Sequence, residues 1–371
     1  MTSRPTLLLT LAALLGSASL AQDSKPSIGI VLDAGGKKDR SFNQSAYEGV
    51  LRAQKEFGIK VDVYEPGVAG EVGRGVDKFS AARKDLIIGI GFNSLSSIDA
   101  AAKANPTLHY AAVDSLPTGA NTTGLRFREH EGSFLVGYLA GLSTSTGVVG
   151  FVGGMDIPII HKFEAGFTAG VKLACPKCQV IGRYLGTTPA AWNNISGAVA
   201  LAGGMKNKGA DIIFAAAGGS GRGVINFVTR TQCIKASELP AGVSFRSDNF
   251  AKVLKSGAYD KACAGNSRPM FFIGVDSNQN YLGDTDNNSL TLNHGLTSMV
   301  KRVDNAVYSV IRAAVKGEPW RAGDINFSLE NDGVEYAMDA YNDRLIPAAT
   351  REKVEKVKSL IISGGIKVPS K

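Results

Sequence analysis

Ile28-Gly-Ile-Val-Leu32 runs straight into Asp33-Ala-Gly-Gly-Lys-Lys-Asp39-Arg-Ser-Phe42-Asn43-Gln44. The first five residues are an uninterrupted apolar run, the pattern of a parallel strand covered on both faces. Beyond the polar loop, Phe42, Ala46, Val50, Ala53 and Phe57 recur at steps of four, four, three and four, which draws one apolar stripe along a helix. Ser41-Phe-Asn-Gln44 has the spacing of a capping box and predicts where that helix begins. The stretch reads as strand, glycine-containing turn and helix.

The same unit repeats outward. Strand-like apolar runs recur at 61–64, 86–90, 109–113, 148–152, 180–185, 212–217 and 271–275, with helical spacing between them. A late example of that spacing is Val300, Val303, Val307, Ile311 and Ala314. Alternating strands and helices imply an α/β fold of doubly wound parallel sheets. Eight such units exceed one ordinary sheet, so two lobes with a cleft between them are expected. The 44 glycines in 371 residues fit many tight strand-to-helix turns.

Ligands of such sheets lie beyond the carboxyl ends of the strands. Asp33, Asp39, Phe42 and Asn43 follow the first run, Gly91 and Asn93 the third, and Asp114 the fourth. Trp192 follows the sixth, Gly218 and Gly221 the seventh, and Asp276 ends the eighth. Carboxylates, amides and large aromatics at one edge suit a polar, uncharged, ring-shaped ligand with several hydroxyls.

Composition excludes several classes. Hydrophobic residues make up 44% and charged residues 20%, which is ordinary for a globular chain and rules out disorder. The formal charge is +8, spread without any run of five basic residues, so no nucleic-acid surface is indicated. Residues 1–21 combine Arg4, an apolar run from Leu7 to Leu15 and small residues at Ser19 and Ala21. That is the pattern of a secretory signal peptide, and the apolar run is too short to span a bilayer. Gln22 stands where a lipoprotein would carry cysteine. A periplasmic or secreted location without a lipid anchor is expected. Four cysteines in an exported chain favour disulfides. Cys175-Pro-Lys-Cys178 is a C-x-x-C that also suits a redox motif or half a zinc site, and a local structural disulfide is preferred. Cys233 and Cys263 would then close a second loop.

Several strings mislead. Ser298-Met-Val-Lys301, Ser247-Asp248-Asn249 and Lys255-Ser256-Gly257 mimic serine β-lactamase motifs in the wrong chain order. The glycine run at 218–223 lacks the spacing of a phosphate loop, and Asp284, Asp286 and Asn288 lack the closing Glu of a calcium loop. No cofactor or metal site is expected. Lys301 is placed in the first turn of the helix after Thr297-Ser298, where a cation opposes the helix dipole. It is either a surface lysine or a group reaching into the cleft toward a ligand oxygen or Asp276.

The opening string around Asp33, Asp39, Phe42 and Asn43 resembles the basic membrane protein family, the purine nucleoside receptor A-like substrate-binding proteins of ABC importers. Six further strings follow in family order, among them Tyr110-Ala-Ala-Val-Asp114-Ser115, Phe163-Glu-Ala-Gly166-Phe167 and Thr297-Ser-Met-Val-Lys301-Arg302. The resemblance implies a type I periplasmic binding protein, with three crossovers between two lobes that close on a ligand. It implies a non-enzymatic carrier that delivers a nucleoside, chiefly a purine nucleoside, to a membrane permease. Phe42 and Trp192 would sandwich the base, and Asp39, Asn43 and Asp114 would read its edges. Asp276 and Lys301 would hold the ribose, with the backbone at 218–221 close by. Expected boundaries are 23–127 plus 277–318 for one lobe and 128–276 plus 319–371 for the other, and a monomer is expected. Against the family pattern, residues 233–268 read as an insertion, and Ser-Asn-Gln279 follows Asp276 where another Asp is common. Sugar or autoinducer binding, or a sensory receptor role, is the alternative within the same fold. An exported nucleoside-cleaving enzyme is the alternative of another class.

Overall fold

The computed structural model describes residues 25–371, so the expected signal peptide lies outside the described residues. The first segment carries β1 (Ile28–Val31), α1 (Phe42–Phe57), β2 (Val61–Tyr64), α2 (Val72–Ala81), β3 (Leu86–Gly89), α3 (Leu95–Ala104), β4 (His109–Val113) and β5 (Thr122–Phe127). The second begins with α4 (Glu129–Ser143), β6 (Val148–Met155), α5 (Pro158–Ala174), β7 (Gln179–Gly186), α6 (Ile195–Lys206), β8 (Ile212–Ala216) and α7 (Gly221–Thr231). It continues through β9 (Cys233–Lys235), α8 (Gly257–Ala262), β10 (Ser267–Pro269), β11 (Phe271–Asp276) and β12 (Gly295–Lys301). The chain then returns for α9 (Val303–Val315) and β13 (Gly323–Phe327) before ending with β14 (Val334–Tyr336) and α10 (Ala348–Ile362).

Two six-stranded sheets result, ordered β13-β5-β4-β3-β1-β2 and β14-β12-β11-β8-β6-β7. All their pairings are parallel except β14 on β12. Read from the other edge, both sheets follow one plan. The second strand flanks the first, and the third, fourth and fifth follow in sequence. Both faces are covered in each. Ala46, Val50 and Ala53 of α1 pack with Ile28 and Ile30, while Val76 and Phe79 of α2 and Ile98 of α3 pack with Val31 and Ile87. In the second lobe Phe163 and Phe167 of α5 meet Phe151 and Phe214, and Ala198, Ala202, Val224 and Val228 cover Ile213 and Ala215.

All eight expected strands are present; β5, β9, β10, β12, β13 and β14 were not expected. Two lobe boundaries move as a consequence. The stretch 277–301 belongs with the second lobe, because β12 pairs along β11 and is almost wholly buried there. The chain crosses back at Arg302, not at 277, and α9 then lies on α1, with the Asp304 N–H donating to Ser45 Oγ at 3.2 Å. The last crossing follows Phe327, not residue 318, because β13 adds to β5 in the first lobe. Polar residues hid these strands. Thr297 donates to the Ala337 carbonyl and Ser298 to Asn280 Oδ1, so buried hydroxyls stand where an apolar run would be.

Both disulfides have formed, Cys175–Cys178 and Cys233–Cys263. The second fastens the 233–268 excursion, whose ends pair as the antiparallel strands β9 and β10.

Helices α4 and α5 touch backbone to backbone. A Cβ at Gly137 would lie 2.1 Å from the Phe167 carbonyl oxygen, and one at Gly166 2.1 Å from that of His130. Neither neighbour is a side chain that can turn away. Gly166→Ala is therefore expected to lower unfolding stability by about 1–3 kcal/mol in urea titrations. Gly204→Ala, in α6 with open space around it, is expected to be neutral or stabilising by up to about 1 kcal/mol. Equal effects at the two sites would contradict the close-packed reading.

Candidate functional site

The carboxyl ends of β1, β4, β11 and β12 carry polar residues into one interlobe cleft of about 670 Å³, part of it open to solvent. Asp33, Asp39, Phe42, Asn43 and Asp114 line it from the first lobe, and Trp192, Gly218, Asp276 and Lys301 from the second. Gly221 does not line it. It is the first residue of α7, buried behind Gly218 and Gly219.

The loop after β1 is built around Asp39. Its carboxylate accepts from the backbone N–H of Ser41, Asn43 and Gln44 and from Asn43 Nδ2, at 2.9–3.0 Å. Asp39 therefore caps α1, and the expected Ser41–Gln44 capping box does not form. A carboxylate accepts these orphan amide protons better than a hydroxyl and also suits the positive helix end. Ser41 is released to cross the cleft, where its hydroxyl donates to Asp276 Oδ2 at 2.6 Å. Asn43 turns back, its Oδ1 accepting from the Asp33 N–H at 2.8 Å. Asn93, at the end of β3, donates to both Asp33 oxygens at 3.1 and 3.2 Å. Burial raises the Asp33 carboxyl against those hydrogen bonds.

Asp114 follows β4 and Asp276 ends β11, the equivalent strands of the two sheets. Both adopt left-handed backbone conformations, with φ of 65° and 64°. Aspartate tolerates that region better than most residues, at a cost. The bend turns each carboxylate off its strand and into the cleft. Burial pushes both carboxyls up to about 6, against the pull of Lys301.

Lys301 is the last residue of β12, not part of a helix. The apolar spacing of α9 had extended back through Val300, but β12 pairing carries the chain to Lys301 as strand. Its ammonium is 2% exposed and lies 2.6 Å from Asp114 Oδ1 and 3.2 Å from Glu129 Oε1. Three rings surround it, those of Phe42, Phe127 and Phe163, at 5.2, 4.9 and 5.9 Å. Burial pulls its pKa down, but Asp114, Glu129 and Asp276 outweigh that and hold it above the ordinary lysine value. It reaches into the cleft, as one of the two expected readings had it. Its direct partners are Asp114 and Glu129, while Asp276 acts on it through the field alone.

Trp192 sits in a short 3₁₀ turn, Pro189–Asn193, after β7. A Cβ at Gly154 would lie 2.1 Å from its ring, so that glycine is required for the indole to pack against β6. Ser41, Asn93, Glu129 and Phe163 also belong to the site and were not assigned to it from sequence. Asn93 stood at a strand end and Phe163 in a family string, so both had a signal. Ser41 was read as a cap, and Glu129 had no signal, because nothing local distinguishes it from a helix-start carboxylate.

The family model Bmp, described as ABC transporter substrate-binding protein PnrA-like, matches residues 27–232. A protein of Listeria monocytogenes named CD4+ T-cell-stimulating antigen is 34% identical, covering 93% of this chain and 88% of that one. A Lactococcus lactis protein named ABC transporter nucleoside-binding protein BmpA is 30% identical, covering 92% and 88%. Among solved structures, an ABC transporter solute-binding protein from Aeropyrum pernix superposes with a TM-score of 0.71 at 25% identity, covering 93% and 94%. One from Conexibacter woesei superposes at 0.64 and shares the fold.

Removing Lys301 leaves two buried carboxylates without their ammonium. Lys301→Met is expected to cost about 3–5 kcal/mol of unfolding stability at pH 7.5. Without Lys301 the Asp114 carboxyl loses the ammonium that holds it down, so in the variant it takes up its proton at higher pH than in the wild type, which removes one uncompensated charge on acidification. The deficit should therefore be clearly smaller in urea titrations at pH 5, and an unchanged deficit would contradict the buried charge cluster.

Proposed function

The chain belongs to the PnrA-like family of ABC transporter substrate-binding proteins, and on that premise we propose that it is an exported, non-enzymatic carrier of a nucleoside, chiefly a purine nucleoside. The observation that carries this reading is the pairing, in one cleft, of aromatic faces from opposite lobes with buried carboxylates beside them. Phe42 comes from α1 of the first lobe and Trp192 from the turn after β7 of the second. A flat base would stack between these two rings, which contributes roughly 1–3 kcal/mol per base. In this reading Asp33, Asp39 and Asn43, on the loop after β1, would face the base edges, and Asp114, 2.6 Å from Lys301, would sit where base and sugar meet. Asp276, Lys301 and the backbone at Gly218 suit the sugar hydroxyls. A Lactococcus relative named as nucleoside-binding supports the same ligand class.

Closure of the lobes on the ligand would bury it and form the surface that a membrane permease recognises. Among the described residues no helix is long and apolar enough to cross a membrane. A monomer working in the periplasm or medium is the form in which such a carrier acts. The cleft's polar groups serve recognition in this reading, and nucleoside cleavage has no place in it.

Calorimetry on protein stripped of carried ligand tests the proposal. One-to-one binding of inosine, guanosine or adenosine is expected, weakened about 5- to 100-fold in Trp192→Ala. Asp276→Ala is expected to weaken ribonucleosides far more than their 2′,3′-dideoxy analogues, since an ionised acceptor is lost only to ligands that donate to it. Free base after prolonged incubation would favour the enzyme instead. Binding of pentoses alone would remove the base site.

Affinity should also depend on pH with a defined sign. The ligand-free carboxyl of Asp276 titrates near 6, above its ordinary 3.8, so acidification favours the proton over the ligand. Sugar hydroxyls donate to the ionised form. Affinity is expected to fall about tenfold from pH 7 to pH 5 and to be flat above pH 7. A pH-independent affinity would contradict a role for ionised Asp276.

A further inference from the structure

Glu129 is the first residue of α4 and is 1% exposed, directly after the first crossing between the lobes. Its two oxygens take different cations: Oε1 faces Lys301 Nζ at 3.2 Å, and Oε2 faces Lys162 Nζ at 3.5 Å. Lys162 precedes Phe163, which lines the cleft and shields the Lys301 ammonium. Glu129 itself does not line the cleft. Lys301 has a second carboxylate, Asp114, at 2.6 Å on the opposite lobe. A buried ammonium facing Asp114 alone would be drawn toward that carboxylate and away from the second-lobe side of the cleft. An ammonium shared between two carboxylates is held between them and keeps donor capacity for a third group.

The sheet geometry says which third group is near. Asp276 pairs in register with Val300, so Lys301 leaves β12 one residue beyond it. Asp276 Oδ2 is taken by Ser41, and its other oxygen has no protein donor within the described residues. A vicinal diol placed there would donate to Asp276 and accept from Lys301.

We propose that Glu129 is a positioning residue for ligand recognition, sharing the Lys301 ammonium with Asp114 so that it stays within reach of a sugar diol beside Asp276. The inference rests on the nucleoside reading above and adds a residue that acts through another. Without the Glu129 charge, Lys301 collapses onto Asp114, and the sugar loses its donor while the base keeps its stacking.

The charged groups around the pair are Asp114 and Asp39 from the first lobe, and Glu129, Lys162, Lys301 and Asp276 from the second. The test compares wild type, Glu129→Gln and Glu129→Asp by two readouts. The first is the affinity ratio between inosine and 2′,3′-dideoxyinosine. Glu129→Gln is expected to shrink that ratio about tenfold, and Glu129→Asp to restore most of it. The second needs no ligand: carbon-13 NMR titration of the Asp114 carboxyl, whose midpoint should move down in Glu129→Gln as a like charge is removed and the ammonium comes closer. A Glu129→Gln protein that loses thermal stability but keeps both the ratio and the midpoint overturns the proposal. If wild type binds no nucleoside, the carrier reading fails by itself, and the Asp114 midpoint alone decides the sharing: moved supports it, unmoved overturns it. Should Glu129→Gln not fold, Glu129→Asp, with its shortened reach, is scored by the same two readouts.

Discussion

A lysine ammonium buried where two lobes meet must be surrounded by compensating charge, and much of the site's layout meets that requirement. Taking Lys301 out of water costs several kcal/mol, and so does burying each carboxylate near it. The cost is offset only while Asp114 from one lobe and Glu129 from the other both face the ammonium. The cluster therefore couples the relative placement of the lobes to its own geometry. The same region ties the three crossings together. Glu131, one turn into α4, accepts from the Leu329 N–H at 3.0 Å, joining the first crossing to the third. Arg302, at the second, pairs with Asp304 at 2.8 Å and faces Glu335 at 3.5 Å.

The two sheets repeat one plan, and the cleft inherits its chemistry from that repetition. Equivalent strands end in Asp114 and Asp276, both bent into the left-handed region. Backbone strain of this kind persists where the surroundings impose it. Here it aims two carboxylates at one space from opposite sides. Burial raises both toward neutrality, so each is receptive to a donor that arrives with a ligand.

Much of this was legible in the residues. Apolar runs marked the central strands because parallel strands buried on both faces carry few polar side chains. The residues named just beyond those runs line the cleft except Asn93, which bonds to Asp33 instead, and Gly221, which a glycine-rich turn could not distinguish from Gly218. What stayed hidden was set by long-range pairing. Thr297 and Ser298 make β12 look unlike a core strand, yet their hydroxyls are satisfied by Ala337 and Asn280 from distant parts of the chain. With β12 misread, Lys301 fell into a helix and one lobe boundary shifted, while the other moved with β13. Ser41 and Gln44 matched a capping box, but Asp39, two residues earlier, had the stronger acceptor. Glu129 acquires its meaning only from Lys301, 172 positions away in the chain but 3.2 Å away in space.

A crystal structure of the protein with inosine bound tests the central claim most directly. The expected result is the base between Phe42 and Trp192, with the sugar hydroxyls on Asp276 and Lys301 and Glu129 still on the ammonium. Inosine bound outside the cleft, or in it with the base turned toward Asp276 and the sugar toward Asp33, would contradict it.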